Sequence, residues 1–307
     1  MAKIYVQPPN NWSRITEHII YSKEECIEKI IRAKKCLILD TCSIIQYANL
    51  RQTSLFYAYV HDVCDMILIP RTILMELASD NAEVKEEHLR FLERLNNEKP
   101  VYIFDEEWCY TFLKLVFNMT DKELNTILID TMKAIKTIFS NCVDEFFNND
   151  LQIEKYFKNT PTVEVYTDFF TDMRTMKETG DSLGEELTAL VVILLSNIRE
   201  LKPCKYELLS NVRNSYYSLS STKKYINNKY KWDAFMCRTT CNLAYLLYKN
   251  EYMNYTELKE FVSVSYVNSE LRCFAAGQND LECKEYSFSV NDFVKMLEND
   301  NLFKVIY

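Results

Sequence analysis

CLILDTCSIIQ, residues 36–46, is the stretch from which the fold is read. Cys36, Leu37, Ile38 and Leu39 run straight into Asp40, and Thr41, Cys42 and Ser43 intervene before the apolar pattern resumes at Ile44 and Ile45. A short apolar run after a charged helical segment reads as a strand buried on both faces. Asp40 then stands at its carboxyl end, where open α/β sheets place their ligands. The same position also suits an aspartate that only caps the next helix.

MILIPRTILMELAS, residues 66–79, repeats the pattern: an apolar strand (Met66 to Ile69), a proline at a helix start, and a helix carrying Glu76. Proline is tolerated there because its missing N–H has no partner in a first turn. Glu76 lies between Met75 and Leu77, with Ile73 three positions before it, so it is an acid among core-forming side chains. Such acids are rarely left unpaired.

An apolar strand ending in Asp-Thr-Cys-Ser, followed by Ile69-Pro70-x-x-Ile73-x-x-Glu76-Leu77, resembles the first two motifs of the PIN-domain nucleases. The resemblance implies an α/β, PIN-like three-layer fold with a central parallel sheet flanked by helices. It also implies metal-dependent cutting of single-stranded nucleic acid, RNA ahead of DNA. It admits a role as a toxin or defence effector.

GDSLGEELTALVVILLSNIRE, residues 180–200, supplies a third element: a turn, then a helix with Glu185 and Glu186 in its first turn and a fully apolar continuation. Acids there favour the positive end of the helix dipole, which is a purely structural use of them. The run Gly184-Glu185-Glu186-Leu187-Thr188-Ala189-Leu190 resembles the third PIN motif, in which an acid completes the metal-binding set. The ELTAL match selects Glu186, the Gly-Glu match selects Glu185, and Asp181 is a third alternative.

CKYELLSNVRNSYYSL, residues 204–219, gives a strand ending in Ser210-Asn211. In the family this place is Thr-Asn-Asp, so the fourth acid is replaced by Val212, and a valine cannot bind a hard cation. Asp233 is the nearest later carboxylate and the candidate to take its place by moving in. On the resemblance, Asp40, Glu76 and Glu186 (or Glu185) hold Mg²⁺ or Mn²⁺, since hard oxygens select such ions. Ser210 and Asn211 hydrogen-bond the ligand set. Arg71, Arg213, Lys223 and Lys224 meet phosphates, and Tyr216, Tyr217 and Tyr225 stack on unpaired bases. The rival expectation is a catalytically impaired scaffold of the same fold that binds a protein or nucleic-acid partner without cutting.

Composition bounds these readings. A chain of 307 residues with 48% apolar and 26% charged residues is an ordinary globular composition with ample core. No apolar run approaches the roughly 20 residues of a membrane span, and residues 1–14 lack the apolar core of a signal peptide, so a cytoplasmic protein is expected. Eleven cysteines include no C-x-x-C pair and only three histidines accompany them, so a structural zinc site is unsupported and the cysteines read as reduced core residues. The three glycines (180, 184, 277) exclude Gly-rich phosphate loops, and a net charge of −8 argues against a passive nucleic-acid coat.

The chain divides into an N-terminal helical segment (1–34), a first half-domain (35–105), a helix-patterned, glycine-free insertion or lid (106–178), a second half-domain (179–262) and a C-terminal segment (263–307). Homodimerisation, or a protein partner held through the insertion, is compatible with this division.

Overall fold

Continuous burial, rather than alternation, marks four of the five central strands of the computed structural model, which describes residues 7–50, 53–79, 81–147, 162–178, 181–196, 204–211, 215–231, 234–266, 270–277, 282–299 and 302–307. The five are β1 (Lys35–Leu39), β2 (Met66–Pro70), β3 (Val101–Phe104), β4 (Lys205–Leu209) and β5 (Phe235–Arg238), in the order β3-β2-β1-β4-β5. All four pairings are parallel. Parallel strands carry helices on both faces, and the two cores here alternate along each strand. Cys36, Ile38, Met66, Leu68, Tyr206 and Leu208 feed one core. Leu37, Leu39, Ile67, Ile69, Ile103 and Leu209 feed the other. The result is a three-layer α/β architecture.

Within the segment 106–178, the described helices pack into this body. The helices Cys109–Phe117, Asp121–Phe139 and Thr162–Met176 share one core with the strands, through Phe112, Leu124, Leu128, Met132, Phe169 and Met173. Their cover is required by the helix Leu183–Leu195, in which every residue except Glu185 is buried. A helix apolar all round is stable only when enclosed on all sides.

Cys237 and Arg238 close β5, and the next helix starts at Thr240. The helix Glu86–Glu98 is preceded by a non-helical stretch at Val84, whose backbone N–H and C=O are both held by the Asn11 side-chain amide (3.1 and 2.9 Å). The C-terminal segment forms a second, antiparallel sheet: β6 (Leu271–Ala276), β7 (Lys284–Phe288) and β8 (Lys304–Val305), in the order β7-β6-β8. Among the described residues, no helix is long and apolar enough to cross a membrane.

A buried ion network ties the inserted helices to the sheet edge. Arg174, on the Thr162–Met176 helix, meets Glu106 at 2.9 Å, and Glu106 accepts the backbone N–H of Thr72 at 2.8 Å in the first turn of the Glu76 helix. Arg71 meets Asp105 at 2.7 Å in the same cluster. Glu106 and Arg174 are 0% and 2% exposed, so truncating one strands the other without solvent. Arg174→Met is therefore expected to lower unfolding free energy by about 3–5 kcal/mol, read from urea denaturation.

Candidate acidic site at the sheet switch point

The strand order reverses at β1: the chain moves outward through β2 and β3, then returns to place β4 on the other side. In open α/β sheets the crevice beyond the strand ends at such a reversal is where ligands bind. Asp40 follows β1 and Ser210 follows β4, so both stand on that crevice. Asp40 is 5% exposed. It is also the N-cap of the helix Thr41–Ala48, so capping and exposure of an acid at the site are one arrangement. Its Oδ1 accepts the Thr41 N–H at 2.7 Å. Its Oδ2 accepts the Ser210 hydroxyl at 2.8 Å and the Cys42 thiol at 3.0 Å.

Glu76 comes to the same corner. Thr41 donates its hydroxyl to Glu76 Oε2 while its N–H serves Asp40, so one residue orients both acids. The helix Leu183–Leu195 meets Glu76 at Gly184. A Cβ built there would lie 2.5 Å from Glu76 Oε1, so any larger residue would displace the Glu76 carboxylate from this position.

That contact sets which of the paired glutamates faces the acids. Glu185 does: burial pushes its carboxyl up to about 7, with further upward contributions from Asp40 and Glu76 and a downward one from Lys177. Glu186 does not, and its expected place among the metal ligands is corrected. Consecutive helical residues point about 100° apart. Glu186 is 0% exposed and caps the helix Cys142–Phe147, accepting the N–H groups of Cys142 (3.1 Å) and Val143 (2.8 Å) and the Ser182 hydroxyl (2.7 Å). Asp181 is occupied too, by the N–H groups of Glu178 (2.6 Å) and Leu183 (3.1 Å) and by an ion pair with Lys177.

Lys177 is the residue that sequence reasoning missed. Its side chain is 4% exposed and its ammonium meets Glu76 Oε1 at 2.9 Å, besides pairing Asp181. Two carboxylates outweigh the burial that would otherwise lower its pKa, and it is held protonated. On Glu76 the balance runs the other way: burial, with the charge of Asp40, outweighs Lys177 and Thr41, and the carboxyl is raised.

The other expected contacts divide. Arg71 is not brought to the acids, because Asp105 holds its guanidinium. Asn211 lies one step removed from Asp40. Its N–H contacts the Cys42 sulfur at 3.3 Å, while its side chain accepts the Thr240 N–H at 2.6 Å and donates to Gln46. Lys224 and Tyr217 are exposed on the helix Ser215–Tyr230, Lys223 is half-buried there, and Tyr225 packs against the core beneath Lys229. Val212, Arg213, Asp233 and the side chain of Tyr216 lie outside the described residues.

Compared with known protein families, curated proteins and solved structures, the chain matches none.

The raised carboxyl of Glu185 makes stability pH-dependent. Between the ordinary glutamate value near 4.3 and about 7 the folded chain holds a proton that the unfolded chain has lost, so stability falls as pH rises through this window. The metal-free protein is expected to lose about 2–3 kcal/mol between pH 4.5 and 7.5 from this group. Glu185→Gln is expected to flatten that slope in thermal melts taken across the range.

Proposed function

We propose that this chain is a PIN-like nuclease that hydrolyses phosphodiester bonds of single-stranded nucleic acid, RNA in preference to DNA, with Mg²⁺ or Mn²⁺. The observation that carries the reading is the mutual electrostatic influence of Asp40, Glu76 and Glu185 at one buried corner of the sheet switch point. Like charges at effective dielectric near 20 repel by roughly 3 kcal/mol at 5 Å, so such a corner calls for a positive charge.

The donor set suits a hard cation. Among the described residues no three His, Cys, Asp or Glu side chains stand together at ligand spacing. Mg²⁺ needs fewer, since it is commonly held by one or two carboxylates and keeps several waters. Asp40 and Glu185 are the two carboxylates in question, since Glu76 already has the Lys177 ammonium at 2.9 Å. A bound ion of this kind lowers the pKa of a water and neutralises charge developing on a phosphate. The protein's own groups do the rest. Ser210 and Thr41 fix the Asp40 carboxylate. Thr41 and Lys177 hold Glu76. Glu185, its carboxyl raised by burial and by Asp40 in the absence of a cation, would be drawn to the ionised form by the ion it helps to hold.

A second reading, a scaffold of this fold that binds without cutting, draws on one specific observation. The Lys177 ammonium already sits on Glu76, and the family's fourth acid is Val212 in this sequence.

Cleavage of single-stranded RNA and DNA oligonucleotides with Mn²⁺ separates the two. Asp40→Asn and Glu185→Gln are each expected to lower the rate roughly 10²-fold or more, while Mn²⁺ at about 100 times its Kd adds about 2.7 kcal/mol of stability to the wild type. Stabilisation by Mn²⁺ with no cleavage of either polymer selects the scaffold reading.

A further inference from the structure

A cleft of about 360 Å³ opens beside the acidic corner, between the carboxyl edge of the main sheet and the outer face of the C-terminal sheet. Its size lies at the lower end of small-molecule pockets. Asn211 and Thr239, which follow β4 and β5, form one wall. Arg272, Phe274, Glu285 and Tyr307 form the other.

The alternation of β6 creates that second wall. Leu271, Cys273 and Ala275 are buried, so Arg272 and Phe274 point to the opposite face. Phe274 is directly paired with Glu285, which puts a cation, a carboxylate and an aromatic ring on one surface. Tyr307 is laddered to Phe274 through backbone bonds of 2.8 and 3.1 Å, and its hydroxyl meets the Cys237 sulfur at 3.8 Å. At the rim, Tyr217 stands edge-on to Phe274 with ring centroids 5.9 Å apart, and it is 67% exposed. Arg272 also meets Glu270, another lining residue, at 3.4 Å, a solvent-exposed pair that a base would have to share or displace. The connection to the acids is short: Asn211 lines the cleft, its N–H contacts the Cys42 sulfur, and that thiol donates to Asp40.

We propose that this cleft holds one unpaired base of the strand whose phosphate lies at Asp40, and that the base it fits is guanine. The proposal rests on the nuclease reading for its connection to catalysis, but not for the binding itself. Phe274 offers the stacking surface that every base can use. Selection comes from the polar pair. Guanine alone among the bases offers the O6 and N7 acceptors that a guanidinium recognises together with an N2 amino donor for a carboxylate. Adenine presents a donor where Arg272 needs an acceptor, and pyrimidines lack N7.

The test is binding of the four 5′-mononucleotides to Asp40→Asn protein in EDTA, by calorimetry. The shared phosphate cancels and no cleavage is needed. GMP is expected to bind at least tenfold tighter than AMP, CMP or UMP. Phe274→Ala is expected to weaken GMP roughly 5- to 150-fold, the range of one lost base–aromatic stack. Arg272→Gln and Glu285→Gln, both at exposed positions, are expected to erase the preference for GMP with unchanged melting temperature. Equal binding of all four nucleotides, or selectivity untouched by both polar variants, overturns the proposal. Selective GMP binding by a protein that cuts nothing keeps the proposal and sinks the nuclease reading, whereas cleavage without GMP binding does the reverse.

Discussion

Repulsion among buried carboxylates is the constraint on which the rest of this structure turns. Asp40, Glu76 and Glu185 reach one corner from three elements, and burial weakens the screening that would let them coexist there. Hydrogen bonds from Thr41, Ser210 and Cys42 satisfy oxygen lone pairs without supplying net charge. The only full positive charge that the acidic corner's described contacts supply is Lys177.

Lys177 reaches that position because of an unrelated demand. The helix Leu183–Leu195 is apolar on every side and needs cover on the face turned away from the sheet. The helices between residues 109 and 176 provide it. Arg174 then fixes the last of them to Glu106, and Glu106 in turn holds the first turn of the Glu76 helix through Thr72. One residue past that helix's end, Lys177 lands on Glu76. The same buried network thus sets both the packing of a whole layer and the distance from ammonium to carboxylate.

How much of this was legible in the sequence follows from how local each determinant is. Strands β1, β2 and β4 could be read because burial on both faces leaves an uninterrupted apolar run. Asp40, Glu76 and Ser210 could be placed because they adjoin those runs or follow them by one helical turn or two. β5 could not: FMCR is short, half-buried, and carries Arg238, whose charge is used inside the fold against Glu207 at 2.8 Å. Glu185 and Glu186 are equivalent by composition, and only the docking of Gly184 on Glu76 fixes which one faces the acids. Lys177 had no signal at all, being one lysine in a charged stretch. Arg71 misled for the same reason in reverse, since its partner Asp105 lies 34 positions away.

The two ends of the main sheet have been given different work. At the amino end, charges are closed on each other: Lys35 pairs with Glu207 at 2.8 Å, and Asp65 accepts the N–H groups of Lys34 and Lys35 at 2.7 and 3.0 Å. Burial alone would raise Glu207, but Arg238 and Lys35 outweigh it and hold the carboxyl below its usual range, so that cluster is complete as it stands. At the carboxyl end the balance is the opposite, with Glu76 and Glu185 both raised. A fold can afford that imbalance at one end only if the other end, the layered cores and the Arg174 network carry the stability. The second sheet is consistent with this division. Leu271, Cys273 and Ala275 on its inner face join the core that Leu37, Ile67 and Leu209 of the main sheet share, and its polar and aromatic face turns toward the end where the charge is unbalanced.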